Sequence, residues 1–429
     1  MNRTIPAPAL LAILSLAGVR PCPAQNAEIV TLRSAVAAAL ARSPGLAAAE
    51  ASRDEGAAGA RLARDAFRPA AAIVATPGYA SGLPVFVAGQ VPAIGGVDVR
   101  QTLYDPAARA QALSAEAAGA ERSGEYESAK TETVRSVVAL YARCRADRKS
   151  SEAAARRVDA AQQLLRHAEA RRKEGRETDL EVERASLALA RARQKALDAA
   201  SDADLDLREL RLAIGASPGR EIVLSDDPAA VLPAPAPDRE EAIAADPELR
   251  ALERGSEILD AVRRARAHPL APVVEAEAQY WRLPDYYAKY YNHFKADDWS
   301  IALAVSLPVF SGGRIAEERA RSESAWRRAG EQARERREML DLRLARAEAA
   351  AARAESSAAL ARRARGVAEE ALAAAEALAR EGKGDADAPL LRREELADAD
   401  DALAEAERAL AAARADALAV SGRLLAVLS

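Results

Sequence analysis

The chain has 429 residues; 50% are hydrophobic but only 4% aromatic, and 29% are charged, with a net charge of -4. Charge so nearly balanced excludes the basic excess that a nucleic-acid surface needs. Apolar content carried largely by alanine fills little volume, which points to long helices and coiled coils rather than one thick globular core.

The N-terminus reads "MNRTIPAPALLAILSLAGVRPCPAQNAE". Arg3 supplies a positive start, Ala9–Val19 an apolar stretch, and Cys22-Pro23-Ala24 a small-residue cleavage site. Residues 1–24 are therefore expected to be a signal peptide cut after Ala24. Lipid attachment at Cys22 is the alternative, which Arg20 and Pro21 fit badly. With that cut, Cys144 is the lone cysteine and no intramolecular disulfide is expected. No apolar run long enough for a transmembrane helix follows.

Next comes a duplication. "SPGLAAAEASRDEGAAGARLARDAFRP", Ser43–Pro69, resembles "DPELRALERGSEILDAVRRARAHPLAP", Asp246–Pro272, with both prolines displaced by 203 residues. Each copy has the same order: a helix (about Leu32–Phe67, then Arg239–His268), two short period-two runs, and a very long helical segment broken once. The first repeat is expected over 25–216, with strands in 69–105 and a helical hairpin over 106–215. A linker or equatorial segment, 217–240, is rich in proline, which disfavours helix. The second repeat is expected over 241–429, with strands in 272–310 and a hairpin over 314–428. Glycine marks the hairpin breaks, in "EGRETDL" at Glu174–Leu180 and "EGKGDADAP" at Glu381–Pro389. A helix from Pro106 to Arg172 would be on the order of 100 Å long. Its broad alanine stripes suit side-by-side packing in a tube of helices.

The period-two runs are about ten residues each. Ile301, Leu303, Val305 and Leu307 alternate with Ala302, Ala304 and Ser306; Val97, Val99, Gln101 and Leu103 with Asp98, Arg100, Thr102 and Tyr104; Val274, Ala276, Ala278 and Tyr280 with Glu275, Glu277 and Gln279. "AAAIVATPGY", Ala70–Tyr79, is a weak fourth. That is the pattern of membrane β-strands, apolar toward lipid and polar toward a lumen, and equally of a soluble sheet with one wet face. The segment "YWRLPDYYAKYYNHF" holds five of the nine tyrosines. Tyr280, Trp281, Tyr286, Tyr287, Tyr290, Tyr291, Phe294 and Trp299 are candidate membrane-interface aromatics. Four strands cannot close a barrel, and lipid does not tolerate open edges, so several chains would have to share one barrel.

The junction "SLPVFSGGRIAEERARSE" and the hairpin "EARRKEGRETDLEVERASLALARARQKALDAASDADLDLRELRLAIG" resemble the outer membrane efflux proteins, the TolC-like family. Copy one departs at the junction: Tyr104-Asp105-Pro106-Ala107 stands where copy two has Phe310-Ser311-Gly312-Gly313. The resemblance covers the whole mature chain through its ordered duplication. It implies a mainly α fold with a small membrane β part: long hairpins in a trimeric α-barrel, capped by a twelve-stranded β-barrel with four strands per chain. It implies a passive exit duct in the outer membrane of a Gram-negative bacterium, extending into the periplasm. A homotrimer would work with a periplasmic adaptor (membrane fusion) protein and an inner-membrane pump of RND or ABC type, in efflux or type I secretion.

The resemblance also assigns sites. The adaptor-docking tips would be Gly175, Thr178 and Leu180, then Gly382, Gly384 and Pro389. Glu181, Asp385 and Asp387 are candidates for an acidic aperture. Pro308, Phe310, Gly312 and Gly313 would form the strand-to-helix junction. The strand alternation makes Asp98, Arg100, Glu275 and Glu277 candidate lumen residues. No cofactor or metal is expected, since His167, His268 and His293 sit on three separate segments and no His/Cys cluster has ligand spacing. "SGGR" lacks the Lys-Ser/Thr of a phosphate loop and no G-x-S-x-G occurs, so no enzyme is expected. The competing reading is an exported coiled-coil scaffold or adhesion protein with a soluble β-hairpin region.

Overall fold

A computed structural model describes residues 28–76, 94–216, 222–234, 238–267, 271–282, 297–309, 312–381, 383 and 387–428. The expected signal peptide with Cys22 lies outside them, as do Tyr79 and Phe86.

Helices dominate. Copy one contains α1 (Leu32–Arg42), α2 (Pro44–Arg64), α3 (Pro106–Lys173) and α4 (Asp179–Ile214). Then come the short α5 (Pro228–Val231) and α6 (Arg239–Ala245), followed by α7 (Pro247–Ala265), α8 (Arg314–Arg380), α9 (Ala388–Val420) and α10 (Leu424–Leu428). The single helices expected over Leu32–Phe67 and Arg239–His268 are each broken in two. The cause is the same in both copies. A proline at the first helical turn has no N–H to give the preceding helix and pushes the residue before it out of helical geometry. Ser43 and Asp246 take extended backbone there, and their side chains accept from the N–H of Leu46 and Leu249 at 3.3 and 2.7 Å.

The long helix α3 spans 68 residues, roughly 100 Å. Along its first half it packs between α2 and α7; along its second, between α4 and α9. Helix α8 lies beside α7 and then beside α9. The result is one layer of helices, four abreast. The contacts below the midpoint follow a seven-residue repeat. Leu390, Ala397, Ala404, Ala411 and Leu418 are buried along α9, and Leu344, Ala351 and Ala358 along α8. A strict heptad of apolar residues winds helices into a left-handed coiled coil.

A denser core girdles the middle of the layer. Strand β1 (Glu28–Val30) pairs in parallel with β4 (Ile222–Leu224). With α1 and α10 they cover Val134, Val138 and Tyr141 of α3. Tyr141 is fully buried; its hydroxyl donates to the Val30 carbonyl at 2.9 Å and accepts from the Asp226 N–H at 3.2 Å. Asp226 in turn accepts from the N–H of Leu32 at 3.0 Å. Within the segment read as a linker or equatorial piece, Ile222–Leu224 and Asp226 thus belong to this belt. Burial pushes the neighbouring Cys144 thiol up to about 12, so it is no nucleophile at neutral pH.

The belt also holds a pair of carboxylates. Asp147 of α3 and Asp206 of α4 are hydrogen-bonded to each other. Arg143 contacts Asp206 at 2.6 Å and also pairs with Glu209, while Arg408 of α9 is committed to Glu405. One guanidinium thus faces three carboxylates. Burial, then the hydrogen bond and charge of Asp206, push Asp147 up to about 7. Burial acts the same way on Asp206, but hydrogen bonds from Asp147 and Arg143 outweigh it and hold Asp206 below the usual range. Asp147 keeps its proton in the fold, whereas the unfolded chain releases it near 3.8. Its stabilising share is complete below that value and is lost as pH rises through about 7. Asp147→Asn is therefore expected to flatten the decline in stability from pH 5 to pH 8. Solvent screening of a half-buried group holds the difference to on the order of 1–2 kcal/mol. Unfolding midpoints of the two proteins across that range check it; parallel curves would contradict it.

Candidate functional site

The second sheet runs β2–β3–β5–β6, with β2 at Ala70–Thr76, β3 at Ile94–Tyr104, β5 at Val273–Arg282 and β6 at Asp297–Ser306. All pairings are antiparallel. Register sorts the side chains, because successive residues point to opposite faces. Ile73 lies opposite Val97, Val97 opposite Tyr280, and Tyr280 opposite Trp299; Ala278 lies opposite Ile301, and Ala276 opposite Leu303. All of these share one face. Among the described residues no helix covers it: Ile73 is 88% exposed, Ile301 76%, Leu303 62% and Val305 62%.

The other face carries the charges. Arg100 lies opposite Glu277 and Asp98 opposite Gln279, and Arg100 Nε is 2.9 Å from Asp98 and 3.8 Å from Glu277. Glu275 falls on the same face, opposite Ala304. The candidate lumen residues thus come together across two strands.

The aromatics divide. Tyr280 and Trp299 are cross-strand neighbours on the apolar face, and the Tyr280 hydroxyl donates to Asp297 at 2.7 Å. Trp281 takes the opposite side of the same strand. One residue further along, it takes the polar face and lies over Gly96. A Cβ at Gly96 would come within 2.5 Å of the indole, so only glycine admits the ring there. Tyr286, Tyr287, Tyr290, Tyr291 and Phe294 lie outside the described residues.

At the junctions the two copies use different chemistry. Gly312 and Gly313 have φ of 61° and 89°, a left-handed region that glycine enters without strain, and Gly313 starts α8 with no side-chain cap. Pro308 sits just beyond β6; Phe310 lies outside the described residues. In copy one Asp105 caps α3 by accepting from the N–H of Ala107 at 2.8 Å, and Pro106 opens the helix. An Asp-Pro cap thus replaces the glycine pair.

At the first hairpin tip, Gly175 takes φ 73° just past α3. Thr178 caps α4, accepting from the N–H of Glu181 at 3.3 Å, and Leu180 is exposed. The Glu181 carboxylate is paired with Arg184, one turn further on. At the second tip Pro389 is buried, while Gly382, Gly384 and Asp385 lie outside the described residues.

Asp387 is drawn into a cluster that the sequence did not suggest. It is 8% exposed, lies 2.7 Å from His167 Nδ1 and pairs with Arg171, both on α3. Arg171 Nε also holds Glu177 of the first tip at 3.1 Å. Burial raises the Asp387 pKa, but the hydrogen bonds from His167 and Arg171 outweigh it and hold the carboxyl below its usual range. Asp387 therefore joins the two tips of one chain. Glu181 does not enter this cluster. Among the described residues no group of three or more His, Cys, Asp or Glu could hold a metal ion, and no helix is long and apolar enough to cross a membrane.

The family model described as outer membrane efflux protein matches residues 35–216. Solved structures match almost the whole chain. CusC, described for conformational changes accompanying folding and transmembrane channel formation, aligns with a TM-score of 0.75 at 15% identity, covering 91% of each chain. The Campylobacter jejuni CmeC outer membrane channel aligns at 0.73 and 14% identity, covering 99% of this chain and 94% of that one. The open state of the Neisseria gonorrhoeae MtrE outer membrane channel aligns at 0.68 and 17% identity, covering 92% and 89%. The chain has the fold of the outer membrane efflux proteins. No curated protein matches the sequence. The efflux-protein fold explains why one chain joins a four-stranded sheet to coiled coils: the long hairpins and the small sheet are its two parts. The structural likeness extends the match beyond residue 216 into the second copy.

Proposed function

We propose that this chain is the outer-membrane channel component of a tripartite efflux or type I secretion system, a passive duct driven by an inner-membrane transporter. One observation carries the reading: the four-stranded sheet is bare and apolar on one face, and its outer strands β2 and β6 have no partner beyond the sheet among the described residues. An exposed apolar face of this extent marks contact with lipid or protein. In lipid, unpaired strand edges are prohibitive, so β6 of one copy pairs with β2 of the next. The strand directions make that closure antiparallel, as an even-stranded barrel requires. Three copies give twelve strands, with Asp98, Arg100, Glu275 and Glu277 toward the lumen. An exported scaffold would leave the face of Ile73, Ile301 and Leu303 without a purpose.

In this reading residues 1–24 direct export, the sheet spans the outer membrane of a Gram-negative cell, and the hairpins line an α-barrel in the periplasm. The tips Gly175–Leu180 and Gly382–Pro389 meet the periplasmic adaptor, which links the duct to a pump of RND or ABC type. The chain does no chemistry on its cargo. Glu181, Asp385 and Asp387 lie about the aperture, where Asp387 serves first as a tie between tips. The test is to express the full chain in a Gram-negative host, fractionate the membranes, extract the protein in detergent and weigh the oligomer. The expected result is outer-membrane banding that resists salt, a mass of three chains, and ion conductance in planar bilayers. A salt-extractable periplasmic monomer without conductance would overturn it.

A further inference from the structure

An open cleft of about 500 Å³ lies between α3 and α8, at the level where α7 begins and α9 ends. Its walls include Ser128, Thr131 and Arg135 from α3, and Arg336, Arg343 and Arg346 from α8. On α8 the facing stripe is Arg336, Leu340, Arg343, Ala347 and Ala350, spaced by three and four residues as one helix face requires. Three acids, Glu132, Asp246 and Asp416, also line the cleft, and each is already engaged. Glu132 and Asp416 hold Arg135, and Asp246 and Glu248 hold Arg336. The acids of α8 at this level, Asp341 and Glu348, face Arg239 of α6. Arg343 and Arg346 have no acidic partner among the described residues, although they sit one turn apart, where like charges repel.

We propose that this cleft binds a small divalent oxyanion, of the sulfate or hydrogen phosphate class, between Arg343 and Arg346. Two planar guanidinium forks match the oxygens of a tetrahedral anion, and their two charges equal its own. The opposite wall offers the Ser128 hydroxyl as a further donor. Thr131 is less suited, because its hydroxyl donates to the Glu127 carbonyl at 3.2 Å. The anion bridges α8 to α3 at the one level where neither α7 nor α9 fills the space between them. It thus contributes to the stiffness of the belt.

The test uses the full-length oligomer in detergent, titrated calorimetrically with sodium sulfate and with sodium phosphate, against sodium chloride at equal ionic strength. Sulfate and phosphate are expected to bind once per chain and to raise the unfolding temperature, with chloride doing neither. Arg343→Gln and Arg346→Gln are each expected to weaken sulfate by on the order of tenfold. Arg353→Gln, an exposed arginine of α8 outside the cleft, is expected to leave it unchanged. Equal responses to chloride, or equal sulfate affinity in all variants, would reduce the effect to general screening and overturn the site. So would an absence of sulfate binding in a protein whose oligomer falls apart in Arg343→Gln, since that assigns the arginines to a contact between copies.

Discussion

Leu303→Arg is expected to abolish accumulation in the outer membrane, while Ala302→Arg, its immediate neighbour, leaves it near the wild-type level. Leu303 sits well inside β6, on the bare face with Ile301 and Val305. An arginine near the middle of a membrane strand on the lipid side costs about 2–4 kcal/mol, and an assembly of three chains carries that cost three times. Ala302 lies directly opposite Glu277 on the charged face, where a guanidinium meets a carboxylate and water. The pair differs by one residue and shares the same backbone, so strand propensity and expression cancel between them. Membrane fractionation with quantitative blotting reads the result. Equal tolerance of both substitutions would mean that the sheet faces water on both sides, and the channel reading would fall with it.

Asp387→Ala is expected to release the second hairpin tip from the first. It removes the acceptor of His167 and one of the two partners of Arg171, which keeps Glu177. Asp387 is buried, but the His167 and Arg171 side chains left behind reach water, so each lost bond is worth about 0.5–1.5 kcal/mol. Hydrogen exchange should therefore accelerate at the end of α3 and the start of α9 and stay unchanged in the belt around Tyr141. A double-mutant cycle with Arg171→Ala separates the pair from general loosening, since coupled residues depart from additivity. In planar bilayers the released tips are expected to give a larger conductance than the wild type. The tie also has a pH sense opposite to that of Asp147. The Asp387 carboxyl lies below its usual range, so its contribution is present at neutral pH and is lost as pH falls. Unchanged exchange in Asp387→Ala would show that the tips are held by packing alone.

Much of the architecture was legible because it rests on periodicity. Period-two alternation located β3, β5 and β6, and glycine marked the hairpin turn at Gly175. Proline displaced by 203 residues marked the duplication, and the same prolines account for helix breaks that propensity alone smoothed over. The β1–β4 pairing was not legible: three residues on each side carry no period, and their partners are 194 positions apart. The Asp387 cluster was hidden for a related reason, since its geometry depends on how two hairpins lie side by side, and no local pattern encodes that. Trp281 shows a different limit of reading by sequence neighbourhood. Counting aromatics by nearness in sequence placed it with Tyr280, yet adjacent residues of a strand cannot share a face.

The alanine heptads carry a mechanical consequence. Toward the tips the buried positions of α8 and α9 are mostly alanine, at Ala351, Ala358, Ala397, Ala404 and Ala411, so few long side chains interlock there. Sliding one helix past the other by a fraction of a turn breaks few dispersion contacts, and what resists it is chiefly the surface ion pairs Arg365–Asp400, Arg414–Glu355 and Arg393–Glu376. In the belt Tyr141, Leu210, Leu232 and Leu424 interlock and are fully buried, and the same displacement there would open cavities. The wall of helices is thus stiff at its middle and compliant toward its tips, like a leaf spring clamped at one end, with Asp387 as the catch at the free end.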